Sequence, residues 1–157
     1  MTELDKIDRR ILALLQDDGR LSLVKLAEKV HLTKTPCAER LRRLMRQGYI
    51  AGFRAVLDPE LLGAGYVSFV QVTLDRTTTD ILEAFNRAVR QIPEIEACHM
   101  IAGDFDYLLK VRSRDVAHYR QLLGDKLSQL PGVQQTHTFM VMEAVKDDPS
   151  LPLGGKT

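Results

Sequence analysis

Residues 33–48 read Thr-Lys-Thr-Pro-Cys-Ala-Glu-Arg-Leu-Arg-Arg-Leu-Met-Arg-Gln-Gly. The stretch predicts a short helix, because Thr33 can cap the free N–H groups of the first turn and Pro36 lies where its missing N–H costs little. Gly48 suits the left-handed conformation that ends a helix. On a helical wheel, four apolar side chains share one face: Cys37, Leu41, Leu44 and Met45. The opposite face carries Thr35, Glu39, Arg42, Arg43 and Arg46.

Two further helices are predicted before this one. Residues 7–16 carry an apolar stripe after Asp5, a suitable N-cap, and residues 23–30 carry another after Ser22. The turn His31-Leu32 leads from the second helix into the third. Two short helices joined by a tight turn are what a helix-turn-helix needs to place one helix in a DNA groove.

Positive charge is concentrated around the third helix. Residues 31–54 contain six basic side chains and one acid, Glu39, although the whole chain has a formal net charge of only +1. Such a cluster fits phosphate contact. The alternative is a solvated helix face on which Glu39 pairs with Arg42 and Arg43. We take nine residues as candidate DNA contacts: Ser22, Thr33, Lys34, Thr35, Glu39, Arg40, Arg42, Arg43 and Arg46.

The composition of the chain limits the classes of protein to which it can belong. The chain has 157 residues, of which 45% are apolar, and this favours a globular protein over a disordered one. It has no apolar run of about 18 residues and a charged N-terminus without a signal-peptide core. Cys37 and Cys98 lie in different predicted elements and are interpreted as reduced core residues of a cytoplasmic protein.

An internal repeat organises the second part of the chain. Gln91-Ile-Pro-x-Ile-x-x-x-His99 recurs 38 residues later as Gln129-Leu-Pro-x-Val-x-x-x-His137. Each copy follows a predicted strand (66–74, 107–112) and a predicted helix (79–91, 115–129), and each ends in a strand (95–101, 133–142). Strand-helix-strand twice over predicts an α+β fold, a ferredoxin-like βαββαβ sandwich.

The predicted strands are apolar on both faces. Val67 and Phe69 point to one side of the first strand, and Val70 and Val72 to the other. Helices cover one side of such a sheet, so the second side needs a partner. We therefore expect a homodimer formed sheet to sheet, whose two DNA-binding units would require a roughly palindromic operator.

The chain divides at Asp58-Pro59. We expect a winged-helix-like helix-turn-helix domain over residues 1–58, in which residues 49–57 form a linker strand. An effector-binding and oligomerisation domain is expected over residues 59–146. Residues 147–157, which include two prolines and Gly154-Gly155, are expected to form a flexible tail, and no function is assigned to it.

Several motifs carry a resemblance over residues 4–146. They are Leu-Asp-x-Ile-Asp at 4–8, Asp-Gly-Arg at 18–20, Thr-Pro-Cys-x-Glu-Arg-x-Arg-Arg-Leu at 35–44, Gly-Asp-Phe-Asp-Tyr-Leu-Leu-Lys at 103–110, Leu-Pro-Gly-Val at 130–133 and Val-Met-Glu at 141–143. In these the chain resembles the Lrp/AsnC family of bacterial and archaeal transcription regulators. These are the leucine-responsive and asparagine regulators, also called feast/famine proteins.

The resemblance implies a regulator of genes for amino-acid metabolism or transport that binds double-stranded DNA as dimers assembling further, to octamers. It also implies an amino-acid effector, leucine or another apolar one, held at contacts between dimers. The residues implied at that site are Met100, Gly103, Asp104, Asp106, Tyr107, Phe139, Met140 and Val141. Val116 and His137 stand where the family's leucine-responsive members carry Met and Arg, so the effector's identity stays open.

The same loop can be argued from its chemistry. Gly103 allows close backbone approach and an unusual φ, and Asp104 and Asp106 offer acceptors for an α-ammonium group. Met100, Phe139 and Met140 could supply an adaptable apolar wall. The alternative is an ordinary hairpin turn, which Gly-Asp-x-Asp also favours.

Two other classes of function fit the sequence less well. An enzyme is not favoured, because the sequence holds no phosphate-binding glycine loop, catalytic-triad motif or His-x-x-x-His metal spacing, and no cofactor is expected. His99 and His137 would lie on opposite edges of the sheet, so one chain could not join them in a metal site. A free-standing amino-acid sensor that acts through protein partners would leave the basic helix unexplained.

Overall fold

The computed structural model describes residues 3–153. The chain folds into two compact units. The first runs to Val56 and includes the C-terminal segment from Lys146, and the second spans Leu57–Val145.

Three helices build the first unit: α1 (Lys6–Asp17), α2 (Leu23–Lys29) and α3 (Lys34–Arg46). Asp5 caps α1 as predicted, and Ser22 caps α2 by accepting the Lys25 N–H. Thr33 occupies the N-cap position of α3, but its side chain makes no capping hydrogen bond. Most of the apolar positions predicted from the sequence meet in one core, which consists of Ile11, Leu12, Leu14, Leu15, Leu26, Ala27, Val30, Cys37 and Leu44. Met45, predicted on the apolar face of α3, is instead 48% exposed.

The turns of this unit show why its helices stop. His31 has a φ of 55° between α2 and α3, and the next N–H, of Leu32, donates back to the Ala27 carbonyl. Gly48 has a φ of 79° after α3, in the left-handed region predicted for it.

The linker strand predicted over residues 49–57 is wrong. This stretch forms no strand in the described residues, and the Tyr49 N–H donates to the Leu44 carbonyl at the end of α3 and not to a neighbouring strand. Tyr49 and Ile50 instead pack against the helical core, and the ring of Phe53 lies beside Gly19. Val56 and Leu57 are exposed.

The second unit is the predicted βαββαβ sandwich. Its elements are β1 (Tyr66–Leu74), α4 (Thr79–Val89), β2 (Ile95–Met100), β3 (Tyr107–Ser113), α5 (Val116–Asp125), a 3₁₀ turn (Leu127–Gln129) and β4 (Val133–Met140). The strands form one antiparallel sheet in the order β2-β3-β1-β4, so β2 and β4 are its edges. The second predicted helix is shorter than expected and ends in the 3₁₀ turn.

The two faces of the sheet differ sharply. Val70, Val72, Leu109 and Val111 are fully buried against the helices, together with Phe85 of α4. On the other face Phe69 of β1 pairs with Phe139 of β4, and these side chains are 36% and 53% exposed. An apolar patch without helical cover is therefore present on this face, as the alternation of the strands predicts.

The chain after β4 has no regular structure. The strand ends at Met140, two residues earlier than predicted, although the Val141 N–H still donates to the Val67 carbonyl. Residues 147–153 pack on the first unit, as described below, and Gly154-Gly155 lie outside the described residues. No helix among residues 3–153 is long and apolar enough to cross a membrane.

Candidate DNA-binding surface and effector site

The outer face of α3 presents a row of exposed polar side chains. They are Lys34, Thr35, Glu39, Arg42 and Arg46. Within the described part of the chain, Arg42 and Arg46 form no ion pair with an acid. Pro36 and Cys37 turn the opposite face inwards, and this packing fixes which side of the helix meets solvent.

Two of the arginines predicted to contact DNA are half-buried and form ion pairs with acids at the start of α1. Arg40 Nη1 lies 2.9 Å from Asp8 Oδ1, and Arg43 Nη2 lies 2.5 Å from Asp8 Oδ2. Arg40 also pairs with Asp5 at 2.5 Å. The wheel placed Arg43 on the outer face, but its long side chain reaches back to α1. Arg40 and Arg43 therefore anchor α3 to α1, while their side chains remain 27% and 33% exposed and their contact with DNA stays a prediction.

Asp8 is the residue that sequence reasoning missed. Its side chain is almost fully buried, and it accepts the Asp5 N–H while Asp5 accepts the Asp8 N–H at 2.7 Å. The signal was present as Asp5-x-x-Asp8, the spacing of a capping box. The hydrogen bond from the Asp8 N–H, followed by that from Arg40, holds the pKa of Asp5 below its ordinary value.

Ser22 and Thr33 are exposed at the first turns of α2 and α3. The Ser22 hydroxyl accepts the Lys25 N–H at 3.3 Å, so it is already used as a cap. Both positions expose backbone N–H groups at a helix N-terminus, which suits contact with phosphate.

The first group of effector candidates lies in the turn between β2 and β3. Asp104 and Gly103 are exposed, and Asp106 is half-buried. Asp106 Oδ2 accepts the Leu74 N–H at 2.7 Å, and the Asp106 N–H donates to the Val72 carbonyl at 3.0 Å. The carboxylate thus fixes the turn against the end of β1.

Two expectations for this turn need correction. Tyr107 is 1% exposed and stacks on Phe85 with ring centroids 4.3 Å apart, so its side chain belongs to the core and burial raises its pKa. Gly103 does not adopt a positive φ, and a Cβ there would meet only Ile101 at 3.6 Å. The Tyr107 side chain is therefore placed in the core, and the predicted unusual φ at Gly103 is wrong.

The second group follows the end of β4. Phe139 points to the helix-free face, because it pairs with Phe69, whereas Met140 pairs with Ser68 and points to the other face. Val141 is half-buried next to the start of β1.

These two groups lie at opposite ends of the sheet. Tyr107, after the turn, pairs with Val72 near the end of β1, and Met140 pairs with Ser68 near its start. Four residues of an extended strand separate them by about 13 Å along β1 alone. One chain therefore does not bring both groups around a molecule as small as an amino acid.

The two histidines of the repeat share one row across the sheet. His99 pairs with Leu108, which pairs with Gln71, which pairs with His137. They lie on opposite edges, as predicted. No cluster of three or more His, Cys, Asp or Glu side chains suited to a metal occurs among residues 3–153.

A three-helix unit with an exposed basic helix and a separate α+β unit define a DNA-binding regulator of two-unit design. Family models match both units: "Winged helix-turn-helix DNA-binding" over residues 4–51 and "Lrp/AsnC ligand binding domain" over residues 67–151. The chain belongs to the Lrp/AsnC family of transcription regulators.

Curated relatives and solved structures support the same family assignment. The chain is 54% identical to the proline dehydrogenase transcriptional activator of Rhizobium radiobacter, over 92% of this chain and 93% of that one. It is 52% identical to the leucine-responsive regulatory protein of Escherichia coli, over 95% and 91%. A transcriptional regulator of Neisseria meningitidis, solved as an L-Met complex, superposes with a TM-score of 0.92 at 36% identity, covering 96% of this chain and 97% of that one.

These findings decide between the classes of function. The relatives are DNA-binding transcription regulators with an amino-acid ligand-binding domain, and they are not enzymes. The basic helix and the α+β unit are both accounted for, so the free-standing sensor is no longer needed.

Proposed function

We propose that this regulator binds an apolar amino acid, leucine or a similar one, at a site assembled from two copies of the chain. The observation that carries the proposal is the separation of the effector candidates. The group of Met100, Gly103, Asp104 and Asp106 lies at one end of the sheet and the group of Phe139, Met140 and Val141 at the other. A second copy is required to place both beside one ligand.

The side chains of each group have the chemistry that binding of an amino acid requires. Asp104 is an exposed carboxylate able to accept from an α-ammonium, and Asp106 is held in place by the Leu74 N–H. Met100 and Met140 are 57% and 41% exposed and offer flexible apolar surface. Carboxylates beside flexible apolar side chains favour an amino acid whose own side chain is apolar.

The helix-free face supports a homodimer. Phe69 and Phe139 form an apolar patch there, with Val67 and Leu108 on the same side of the sheet. Packing a second copy on this face removes the patch from water. Further assembly, to octamers, would bring the two effector groups of different dimers together.

The outer face of α3 supports the DNA contacts. Arg42, Arg46 and Lys34 supply phosphate contacts, and Thr35 and Glu39 reach base edges. Ser22 and Thr33 add contacts at helix N-termini. Two such units in a dimer require a roughly palindromic operator, in the cytoplasm, controlling genes of amino-acid metabolism or transport.

Binding of a labelled A/T-rich intergenic duplex tests this proposal, measured with and without a panel of amino acids. We expect an apolar amino acid to change the DNA affinity or the sedimenting mass. The variant Asp106→Asn keeps an acceptor for the Leu74 N–H but lacks the charge, so it should lose the response and keep its fold. A normal response in Asp106→Asn and in Asp104→Asn would remove the proposed ammonium contact.

The matched control is Asp125→Asn, which removes an exposed carboxylate at the end of α5. It should respond as the unsubstituted protein does. Loss of the response in this control would mean that the assay reports general charge and not the site.

A further inference from the structure

The C-terminal segment at residues 147–153 contacts the DNA-binding unit through the side chain of Gln16. The Leu151 N–H donates to Gln16 Oε1 at 2.9 Å, and the Leu151 carbonyl accepts from Gln16 Nε2 at 3.0 Å. The two residues are 135 positions apart. A side-chain amide that satisfies both backbone groups of one residue imitates a strand partner.

The surface beneath this segment is an apolar groove. It is formed by the end of α1 and by the residues that follow α3, and it is lined by Leu12, Leu15, Tyr49, Ile50 and Phe53. Leu153 packs against the same helical core. A cavity of about 220 Å³ lies between the groove and the two leucines of the segment.

The contacts that hold residues 147–153 in the groove are exposed to solvent. Leu151 is 67% exposed, and both of its hydrogen bonds depend on Gln16, which is itself exposed. Pro149 and Pro152 keep the segment out of a helix and reduce the entropy that is lost each time it seats in the groove, so the segment can return after release. An exposed contact beside an incompletely filled cavity opens at low free-energy cost.

The groove is connected to α3 through the backbone. The Tyr49 N–H donates to the Leu44 carbonyl of α3 at 3.0 Å, and Ile50 continues into the groove wall. A segment seated on Tyr49 and Ile50 therefore braces the end of the helix that carries Arg42 and Arg46.

We propose that residues 147–153 form a releasable strap, whose seating in this groove holds α3 in its DNA-binding position and thereby sets the DNA affinity of the protein. The occupant of the groove is the chain's own C-terminus. The strap acts without any effector, so it is independent of the amino-acid site proposed above.

Hydrogen exchange and DNA binding of the full-length chain test the strap in the absence of any amino acid. Gln16→Ala removes both hydrogen bonds to Leu151, and we expect exchange in residues 147–153 to become about tenfold faster. Gln16→Glu keeps the acceptor for the Leu151 N–H and should fall between. Gln134→Ala, an exposed amide on β4, should change nothing.

DNA affinity is measured on the same variants. Gln16→Ala should weaken binding to every duplex severalfold, with the far-ultraviolet circular dichroism unchanged. Leu153→Ser weakens the packing of the strap itself and leaves α1 unchanged. It should also speed hydrogen exchange in residues 147–153 and weaken DNA binding. Wild-type residues 147–153 that exchange at the rate of an unstructured peptide would overturn the proposal. Equally, it fails if the Gln16 and Leu153 variants exchange faster yet bind DNA as tightly as before.

Discussion

Arg43 of α3 donates to the buried carboxylate of Asp8 in α1 at 2.5 Å, across 35 residues of sequence. The same carboxylate receives Arg40 at 2.9 Å and takes part in the capping box of its own helix. One acidic side chain thus joins the start of α1 to the side of the DNA-binding helix. The orientation of α3 depends on this junction as well as on the apolar core.

Replacing Asp8 with alanine should destabilise the DNA-binding unit by about 2 kcal/mol. The substitution leaves Arg43 partly buried without an acid and Arg40 paired with Asp5 alone, and the partial exposure of both keeps the cost below that of a fully buried pair. Denaturant unfolding followed by circular dichroism measures it. Glu28→Ala, an exposed acid on α2, is the matched control and should stay within about 0.5 kcal/mol of the unsubstituted chain.

Arg42→Ala and Arg46→Ala should each weaken DNA binding for all sequences alike. Each should also reduce the slope of log affinity against log salt by about 1, because one phosphate contact is lost. Fluorescence anisotropy at several salt concentrations gives the slope. Arg120→Ala, an exposed arginine on α5, is the control, and a full slope in the double variant Arg42→Ala/Arg46→Ala would contradict the assignment.

Acid should selectively weaken the cap of α1. The pKa of Asp5 is lowered in the folded chain, so its charged form adds stability above its ordinary pKa of 3.8, and this contribution is lost as the pH falls through the lower, folded value. Unfolding free energies between pH 6 and about pH 2.5 measure the loss. Asp5→Asn still caps the helix but does not titrate, so its stability should fall less over this range.

Two glycines should respond differently to alanine. Gly132 has a φ of 73°, and a Cβ there would lie 2.5 Å from Ile81 Cγ2, so Gly132→Ala should cost about 1–3 kcal/mol. Gly103→Ala should be nearly neutral for folding, because its Cβ would have room. Thermal unfolding compares the two. If Gly103→Ala nevertheless weakens the effector response, the added methyl obstructs the ligand.

The second unit could be predicted from the sequence almost completely. β1 has the predicted bounds, and the repeat of His99 and His137 placed β2 and β4 on opposite edges. Strand alternation and helix periodicity are local signals, and the repeat supplied the topology. The same alternation predicts that the Tyr107 side chain is buried. The family motif placed Tyr107 among the effector residues only because it follows the loop directly.

What could not be predicted depends on contacts distant in sequence. A helical wheel assigns Arg43 by angle alone and cannot show that Asp8 lies within reach of Arg43 and of Arg40. Residues 49–57 have the composition of a strand, but a strand requires a neighbouring strand, and residues 3–153 of the same chain do not provide one here. The contact between Gln16 and Leu151 joins an ordinary surface glutamine to a segment rich in proline, and neither carries a local signal.

A site shared between chains makes a prediction that a site within one chain does not. Asp106→Asn and Met140→Ala should each abolish the response to the effector amino acid. When the two variants are unfolded together and refolded as mixed oligomers, sites that take the turn from one variant and the end of β4 from the other are intact. Random mixing restores about one such site in four.

The most direct measurement is therefore the amino-acid response of DNA binding in this mixture, compared with each variant alone. We predict that a partial response returns in the mixture while both separate variants remain silent. A mixture as silent as its components would contradict the shared site and place the effector within a single chain.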